Sequence, residues 1–523
     1  MSGAALAIAM TSIAGADELA ITSGGRRIID RDPTTAVSNC YGWTYGPSPL
    51  IDDAGDLVAM YTVSDAATNH CKVGIESEQR FGDSIQLNRL TEDGTWSAGI
   101  NVIDRSNLPW MNDPSFLAEH PETFVGHVAS PSVVRIDGRY YMVFVGSVDD
   151  RNLCAGEHPM SANICGSCRD PWSYFVAMWA ASDDGEHWRV RERVPGDAIL
   201  IGRAPAPNDR AIGSNYKGIT HVAMVTHEEK GRTYFYIGAQ YWSPSNIKSL
   251  MFRIRYDGES EWGIIGEPEM WSWNRKYWLL CPSGIVPDLI NQYNEHSLLI
   301  SYDPLSSIST TTRRGFHEYI ALASRSNRIS YQFSTNLVDW TPNQTMRSAL
   351  PYFADGYSYD ASVIDPVMAD DRLFFASADG DEAFGIARDG RHDCGSNSDY
   401  GATAPYVGTG IYESHVELIS PRATRTRVTV DHTSIVSGDV IRCSAEVTDE
   451  RGSPVEGVVL IRGDGVMQVR LIDGHAEAIM PMRGLGTHYV DAWFEDQGMW
   501  QASKSDFVTI TIVPNNRRRA ARR

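Results

Sequence analysis

Three titratable side chains stand at the openings of apolar stretches: Asp360 in Tyr359-Asp360-Ala-Ser-Val-Ile364, Asp288 in Val286-Pro287-Asp288-Leu-Ile290, and His221 in Ile219-Thr-His221-Val-Ala-Met-Val225. Carboxyl groups held in unlike surroundings divide the roles of acid and base, because each environment sets its own pKa. An imidazole titrates near neutrality, and at His221 it can transfer a proton, bind a central ion or water, or serve as a hydrogen-bonded core residue. Asp360 has the plainer alternative of capping a strand. Asp113, in Met111-Asn-Asp113-Pro, reads better as a loop cap, since Asp before Pro commonly starts a turn.

These residues need elements to carry them. The stretch from His127 to Trp188 sets the pattern: an apolar strand entered through Ala129-Ser130-Pro131-Ser132, a tight turn at Asp137-Gly138, a second strand Arg139-Tyr-Tyr-Met-Val-Phe-Val145, and a third that closes in Ala181-Ser-Asp-Asp-Gly185-Glu-His-Trp188. The unit recurs. Trp43-Thr-Tyr45-Gly-Pro-Ser48-Pro49 leads into Leu57–Tyr61 and ends at Glu92-Asp-Gly-Thr-Trp96, while Ile219–Val225 leads into Gly231–Gly238 and ends at Tyr256-Asp-Gly-Glu-Ser-Glu-Trp262. A fourth begins at Val286, continues through Ser297–Tyr302 and closes in Phe333-Ser-Thr-Asn-Leu-Val-Asp-Trp340. The fifth begins at Tyr359 and continues at Asp371–Ala376. The closing tryptophans lie roughly 75 to 90 residues apart, a spacing that suits four-stranded sheets with lengthened connections. Such a sheet cannot bury both faces alone, whereas a ring of them buries each against a neighbour. The expected fold class is all-β: a five-bladed β-propeller over 35–420. Trp96, Trp188, Trp262 and Trp340 are expected to fill the space between blades.

From Ser420-Pro421 the pattern changes to short alternating strands, among them Ile441, Cys443, Ala445 and Val447, punctuated by Asp449-Glu-Arg-Gly452 and Asp473-Gly474. Residues 425–513 read as an immunoglobulin-like β-sandwich. Cys443, with no second cysteine in that segment, reads as a buried free thiol. Residues 514–523 read as a basic disordered tail.

Composition bounds the function. The chain has 523 residues, 42% hydrophobic, with 45 glycines, 25 prolines and a formal charge of −20. That charge disfavours nucleic acid and anionic membrane as partners, since phosphate affinity rests on clustered Lys and Arg. No stretch approaches the roughly 20 apolar residues of a membrane span. Ala4–Ile13 is small and apolar, and Ala14-Gly15-Ala16 resembles a signal-peptidase site, so 1–16 reads as a signal peptide lacking its basic n-region. The expected location is therefore secreted or at the cell surface. Of the eight cysteines, Cys40 and Cys71 suit a bridge across the first unit, and Cys154, Cys165 and Cys168 share a loop with His158 that suits a stapling disulfide or a zinc ion. No cofactor is expected and no metal ligand set is assigned, a structural calcium or zinc ion staying open. GxSxG, HExxH and nucleotide-binding glycine loops in suitable context are missing from the sequence.

The units Ala129-Ser-Pro-Ser-Val-Val, Ala181-Ser-Asp-Asp-Gly-Glu-His-Trp188 and Phe333-Ser-Thr-Asn-Leu-Val-Asp-Trp340 resemble the five-bladed β-propeller glycoside hydrolases of the arabinanase, xylosidase and fructosidase groups. The resemblance implies a funnel at the propeller axis, lined by the starts of the innermost strands, and a carbohydrate as the partner. It also implies an Asp/Asp/Glu set, two carboxyls facing each other across a glycosidic bond. This chain departs from that set, with Ser48, Ser130, His221, Val286 beside Asp288, and Asp360 at the five strand starts. Asp360, Asp288 and His221 are the candidates for catalysis. Ser48 and Ser130 line the expected mouth, where Trp43, Tyr45, Trp242, Tyr357 and Tyr359 can stack on sugar rings. Trp271, Trp273 and Trp278 can form a wall. The alternatives to a glycoside hydrolase-like enzyme are a catalytically silent glycan- or protein-binding propeller and a structural or adhesive surface protein. A six-bladed sialidase ranks below these, since Ser182–Trp188 is one residue short of that family's Asp-box.

Overall fold

The computed structural model describes residues 18–22, 25–29, 43–52, 54–65, 83–108, 123–150, 173–191, 199–201, 216–243, 246–272, 277–280, 305–310, 319–325, 328–348, 364–369, 371–378, 409–419, 422–495 and 500–514. Regular structure among them is almost entirely β, with a single helical turn at Arg105–Asn107. The chain divides into two compact units, one formed by 25–345 and 357–414, the other by 1–24, 346–356 and 415–523.

The larger unit is built from antiparallel strand sets. The first runs Trp43–Ile51, Leu57–Asp65, Asp83–Arg89, Ile100–Ile103, and the second Thr123–Ile136, Arg139–Asp150, Ser173–Ser182. The third runs Tyr216–Glu229, Arg232–Ser243, Asn246–Tyr256, Ile264–Ser272, Tyr277–Leu280. A short parallel pairing of Tyr216–Gly218 with Ser173–Phe175 joins the second and third sets. The fourth is Leu305–Thr310, Tyr319–Arg325, Arg328–Ser334, Gln344–Thr345, and the fifth Ile364–Ala369, Arg372–Ala378 and residues 409–414 of the strand Thr409–Ile419. Arg26–Ile29, from the start of the chain, pairs with residues 411–413 of that last strand.

The opening strands of the five sets touch in order: Trp43–Ile51 meets Thr123–Ile136, which meets Tyr216–Glu229, then Leu305–Thr310, then Ile364–Ala369, which returns to Trp43–Ile51. Side-chain alternation explains why the sets stack. In Arg139–Asp150, Met142 and Phe144 face the first set and pack with Tyr61, Ile85 and Leu87. Tyr141, Val143 and Val145 face the other way, against Phe235, Ile237 and Phe252 of the third set. Tyr236 and Met251 carry the pattern on to Leu305, Ile308 and Tyr319, and Val367 and Phe374 pack with Leu57 and Met60. Both faces of a strand are then apolar, as expected for sheets covered on both sides.

The tryptophans that end the repeats join these cores. Trp188 is buried between the first two sets, where it meets Tyr61 edge-on at 5.8 Å; Trp96, Trp262 and Trp340 pack against the cores of other set pairs. Ser182 and Ser334 nucleate the same turn. Each seryl Oγ accepts from the backbone N–H three residues on (2.9 Å from Gly185, 2.8 Å from Leu337), and the following Trp188 or Trp340 donates its indole N–H to the carbonyl of that residue.

In the smaller unit, Thr424–Val430, Val440–Asp449 and His475–Pro481 form one sheet, and Ser434–Val436, Val508–Val513, Gly486–Phe494, Val458–Arg462 and Val466–Arg470 a second. The two share a core in which Ile441, Cys443, Ala445 and Val447 lie with Val459, Ile461, Val490 and Phe494. Cys443 is a free, buried thiol, and burial pushes its pKa up to about 11.

Candidate functional site

Each of the five opening strands breaks its pairing register: between Tyr45 and Ser48, Ala129 and Ser132, Ile219 and His221, Leu305 and Ser307, and Ile364 and Val367. A bulge leaves residues unpaired, bends the strand and re-aims their side chains. In three strands the unpaired residues are an X-Pro dipeptide whose first member is left-handed: Gly46 (φ 58°), Ser130 (φ 48°) and Asp365 (φ 50°). Glycine takes that conformation freely and Asp more readily than most residues, whereas Ser130 is held there against an intrinsic preference. Left-handed non-glycine residues that the surroundings hold in place gather at functional sites.

Next to the bulges, serines stitch one strand to the next. Ser48 Oγ accepts from the Val133 N–H at 3.2 Å, Ser132 Oγ from the Met224 N–H at 2.8 Å, and Ser307 Oγ donates to the Pro366 carbonyl at 2.7 Å. These bonds fix the starts of the strands to one another, so the bulged residues are held at defined positions.

The chemistry lies where these strands converge. His221 Nε2 is 3.1 Å from Asp365 Oδ1, the imidazole about one-third exposed and the carboxylate 11% exposed. Burial works against a charged His221, but the Asp365 carboxylate outweighs it, and the His221 pKa is raised above its ordinary value. The pair therefore favours an imidazolium beside a carboxylate. Gln240 stands opposite His221 in the next strand and is fully buried.

His221 thus stands at the bulge, hydrogen-bonded to an acid. Ser48 bonds to the neighbouring strand rather than standing free, and Ser130 is a left-handed bulge residue, mostly buried. Tyr45 packs against the core that joins the first and fifth sets. Trp43 begins the first opening strand, paired with Asp65, and Trp242 belongs to the strand Arg232–Ser243, paired with Gly218. Asp288, Asp360, Tyr357 and Tyr359 lie outside the described residues, as do Asp113, Trp273 and every cysteine except Cys443. Trp271 and Trp278 meet at 5.2 Å, and the Arg253 guanidinium lies over the Trp278 ring at 4.2 Å, so that face of Trp278 is already covered.

Two residues escaped the sequence reading. Asp365 carried a usable signal, because Asp365-Pro366 is an X-Pro dipeptide in its strand as Ser130-Pro131 is in the second. Gln240 carried none: its place beside His221 follows from pairing across a hairpin whose register a bulge has shifted.

No protein-family model matches the chain, and no curated protein matches its sequence. Among solved structures it is similar to an exo-1,5-alpha-L-arabinanase from a bovine ruminal metagenomic library, at 11% identity and a TM-score of 0.30 over 64% of this chain and 87% of that one. An endo-beta-1,4-mannanase from Thermotoga petrophila matches at 14% identity and a TM-score of 0.15, over 18% of this chain and 20% of that one. The extracellular region of plexin A4 matches at 8% identity and a TM-score of 0.26, over 95% of this chain and 52% of that one. At this identity and overlap the likenesses fix neither activity nor substrate.

Proposed function

We propose that the chain is a glycan-directed protein, secreted or at the cell surface, in which a five-bladed β-propeller is followed by an immunoglobulin-like β-sandwich. It binds a polysaccharide or glycan at the propeller axis. The observation that carries this reading is the left-handed bulge that presents Asp365 to His221 where the opening strands meet. Ser130 lies at the matching bulge of the second strand, and Trp43, Tyr45, Trp242 and Tyr359 are the proposed sugar-stacking residues.

In the glycoside hydrolase-like form of this reading, Asp365 is a carboxylate of the acid–base pair and His221 holds it in orientation. Hydrolysis adds water across the C–O bond: one group protonates the departing oxygen while another takes a proton from water or attacks the sugar carbon. Asp360 and Asp288 are the proposed second carboxyls. The competing reading is a silent glycan-binding propeller. It is favoured by one observation: among the described bulge residues, Asp365 is the sole acid, and it is engaged by His221.

The test is a panel of arabinan, xylan, fructan and mannan, measured for binding by affinity electrophoresis and for cleavage by reducing-sugar release. Loss of about a hundredfold or more in release on Asp365→Asn is expected of the hydrolase. Binding without release assigns the silent form. A chain that neither binds nor cleaves any glycan overturns both.

A further inference from the structure

Gln240 has no ordinary reason to be where it is. Its side chain is fully buried, yet neither the amide oxygen nor the amide nitrogen has a hydrogen-bond partner among the described residues, and Nδ1 of His221 is in the same condition. The two residues face each other across one hairpin, and on the far side of Gln240 the sheet presents Ser249. A buried amide with both ends unpaired is rare in folded proteins and marks either a functional group or a partner it is built to meet. The partner at hand is the imidazole.

We propose that Gln240 is a positioning residue for the axial site: its amide carbonyl accepts the Nδ1 proton of His221, while Nε2 donates to Asp365, so the ring is held doubly protonated and fixed in orientation. This deepens the axial reading above and rests on it. The direction of the bonds follows from the groups. An ionised carboxylate only accepts, so Nε2 must carry a proton. Nδ1 then either carries a proton and needs an acceptor, or is bare and needs a donor, and an amide can supply both. The negative charge of Asp365 decides in favour of the protonated ring. Around His221 the other opening strands offer Gly46, Pro47, Ser130, Pro131 and Ser306 at their bulges, none of which titrates, so among the described bulge residues Asp365 is the charged group facing it.

The experiment is nitrogen-detected NMR of the full chain labelled on histidine, the His221 signals being assigned by their loss in His221→Gln. In the wild type both ring nitrogens should be protonated at pH 6, and the titration midpoint should fall about tenfold in proton affinity, near one pH unit, in Gln240→Leu. Gln240→Glu should move it upward. If the leucine variant does not fold, Gln240→Met and Gln240→Glu carry the same comparison. A wild-type ring with bare Nδ1 at pH 6, or a midpoint indifferent to these variants, overturns the proposal. Asp365→Asn separates the layers: if it too leaves the midpoint unchanged, the axial pair itself is wrong, whereas a shift there with none at Gln240 removes only the positioning role.

Discussion

Gly46 and Asp365 face each other where the first and fifth opening strands meet: a Cβ built on Gly46 would stand 3.8 Å from Oδ2 of Asp365 and equally far from Cδ of Pro131. The other two Pro-containing bulges therefore approach the one residue of the three without a side chain.

Gly46→Ala tests that relationship. The new methyl group would lie 3.1 Å from Cγ2 of Val63, on backbone with φ 58°. Left-handed backbone alone costs an L-residue about 1–2 kcal/mol, so urea unfolding should show a loss of that order. Ser130→Gly, at φ 48°, should be neutral or slightly stabilising. Equal stability of Gly46→Ala and wild type would mean that the bulge does not exist.

The His221–Asp365 pair makes stability depend on pH in a defined direction. A histidine whose folded pKa is raised contributes stability that is fully present below its unfolded pKa, about 6.5, and is lost as pH rises through the higher folded value. The stability difference between wild type and Asp365→Asn, followed by denaturant unfolding from pH 5 to 9, should shrink above pH 6.5. A difference that stays flat across this range contradicts the pair.

Asp491 of the smaller unit behaves oppositely. Its carboxylate is 3% exposed; one oxygen accepts from Arg462 Nε at 3.0 Å and the other from Arg462 Nη2 at 2.5 Å and Lys504 Nζ at 3.0 Å. Burial opposes ionisation, but the two cations prevail and hold its pKa below the usual carboxylate range. Its contribution is present above the unfolded value of about 3.9 and lost as pH falls through the lower folded one. Asp491→Ala should cost about 2–3 kcal/mol at pH 7, less than a wholly buried pair because both cations reach water. Thermal unfolding at pH 7 and pH 2 measures this, and an equal effect at both would refute it.

Leu337 stands in the turn position that Gly185 holds in the second set, left-handed at φ 63° and completely buried. Its side chain packs with Leu305, Ile308 and Tyr319, and this packing should outweigh the backbone strain. Leu337→Ala should therefore cost about 2–4 kcal/mol, and Leu337→Gly, although better suited to the backbone, should also be destabilising. A glycine variant as stable as wild type would show that strain dominates there.

The alternation of apolar residues was enough to read the strands around Tyr141, Val225 and Ile237, because a period of two dictates which side chains share a face. The strand-ending turns at Ser182–Trp188 and Ser334–Trp340 were equally legible, since Ser and Asp or Asn side chains cap the backbone locally. Cys443 could be placed in a core from its neighbours Ile441, Ala445 and Val447. Tyr359 and Asp360, where the same pattern starts the fifth opening strand, lie outside the described residues; the described part is Ile364–Ala369, and the acid it presents is Asp365.

What the chain determined by itself, then, was local: strand, turn, face and the recurrence of one unit. The tertiary structure decided which unpaired residue of each bulge meets which, because the His221–Asp365 contact joins strands far apart in the chain. Such contacts depend on register and on the angle at which sheets stack, and neither leaves a mark in the spacing of residues along one strand.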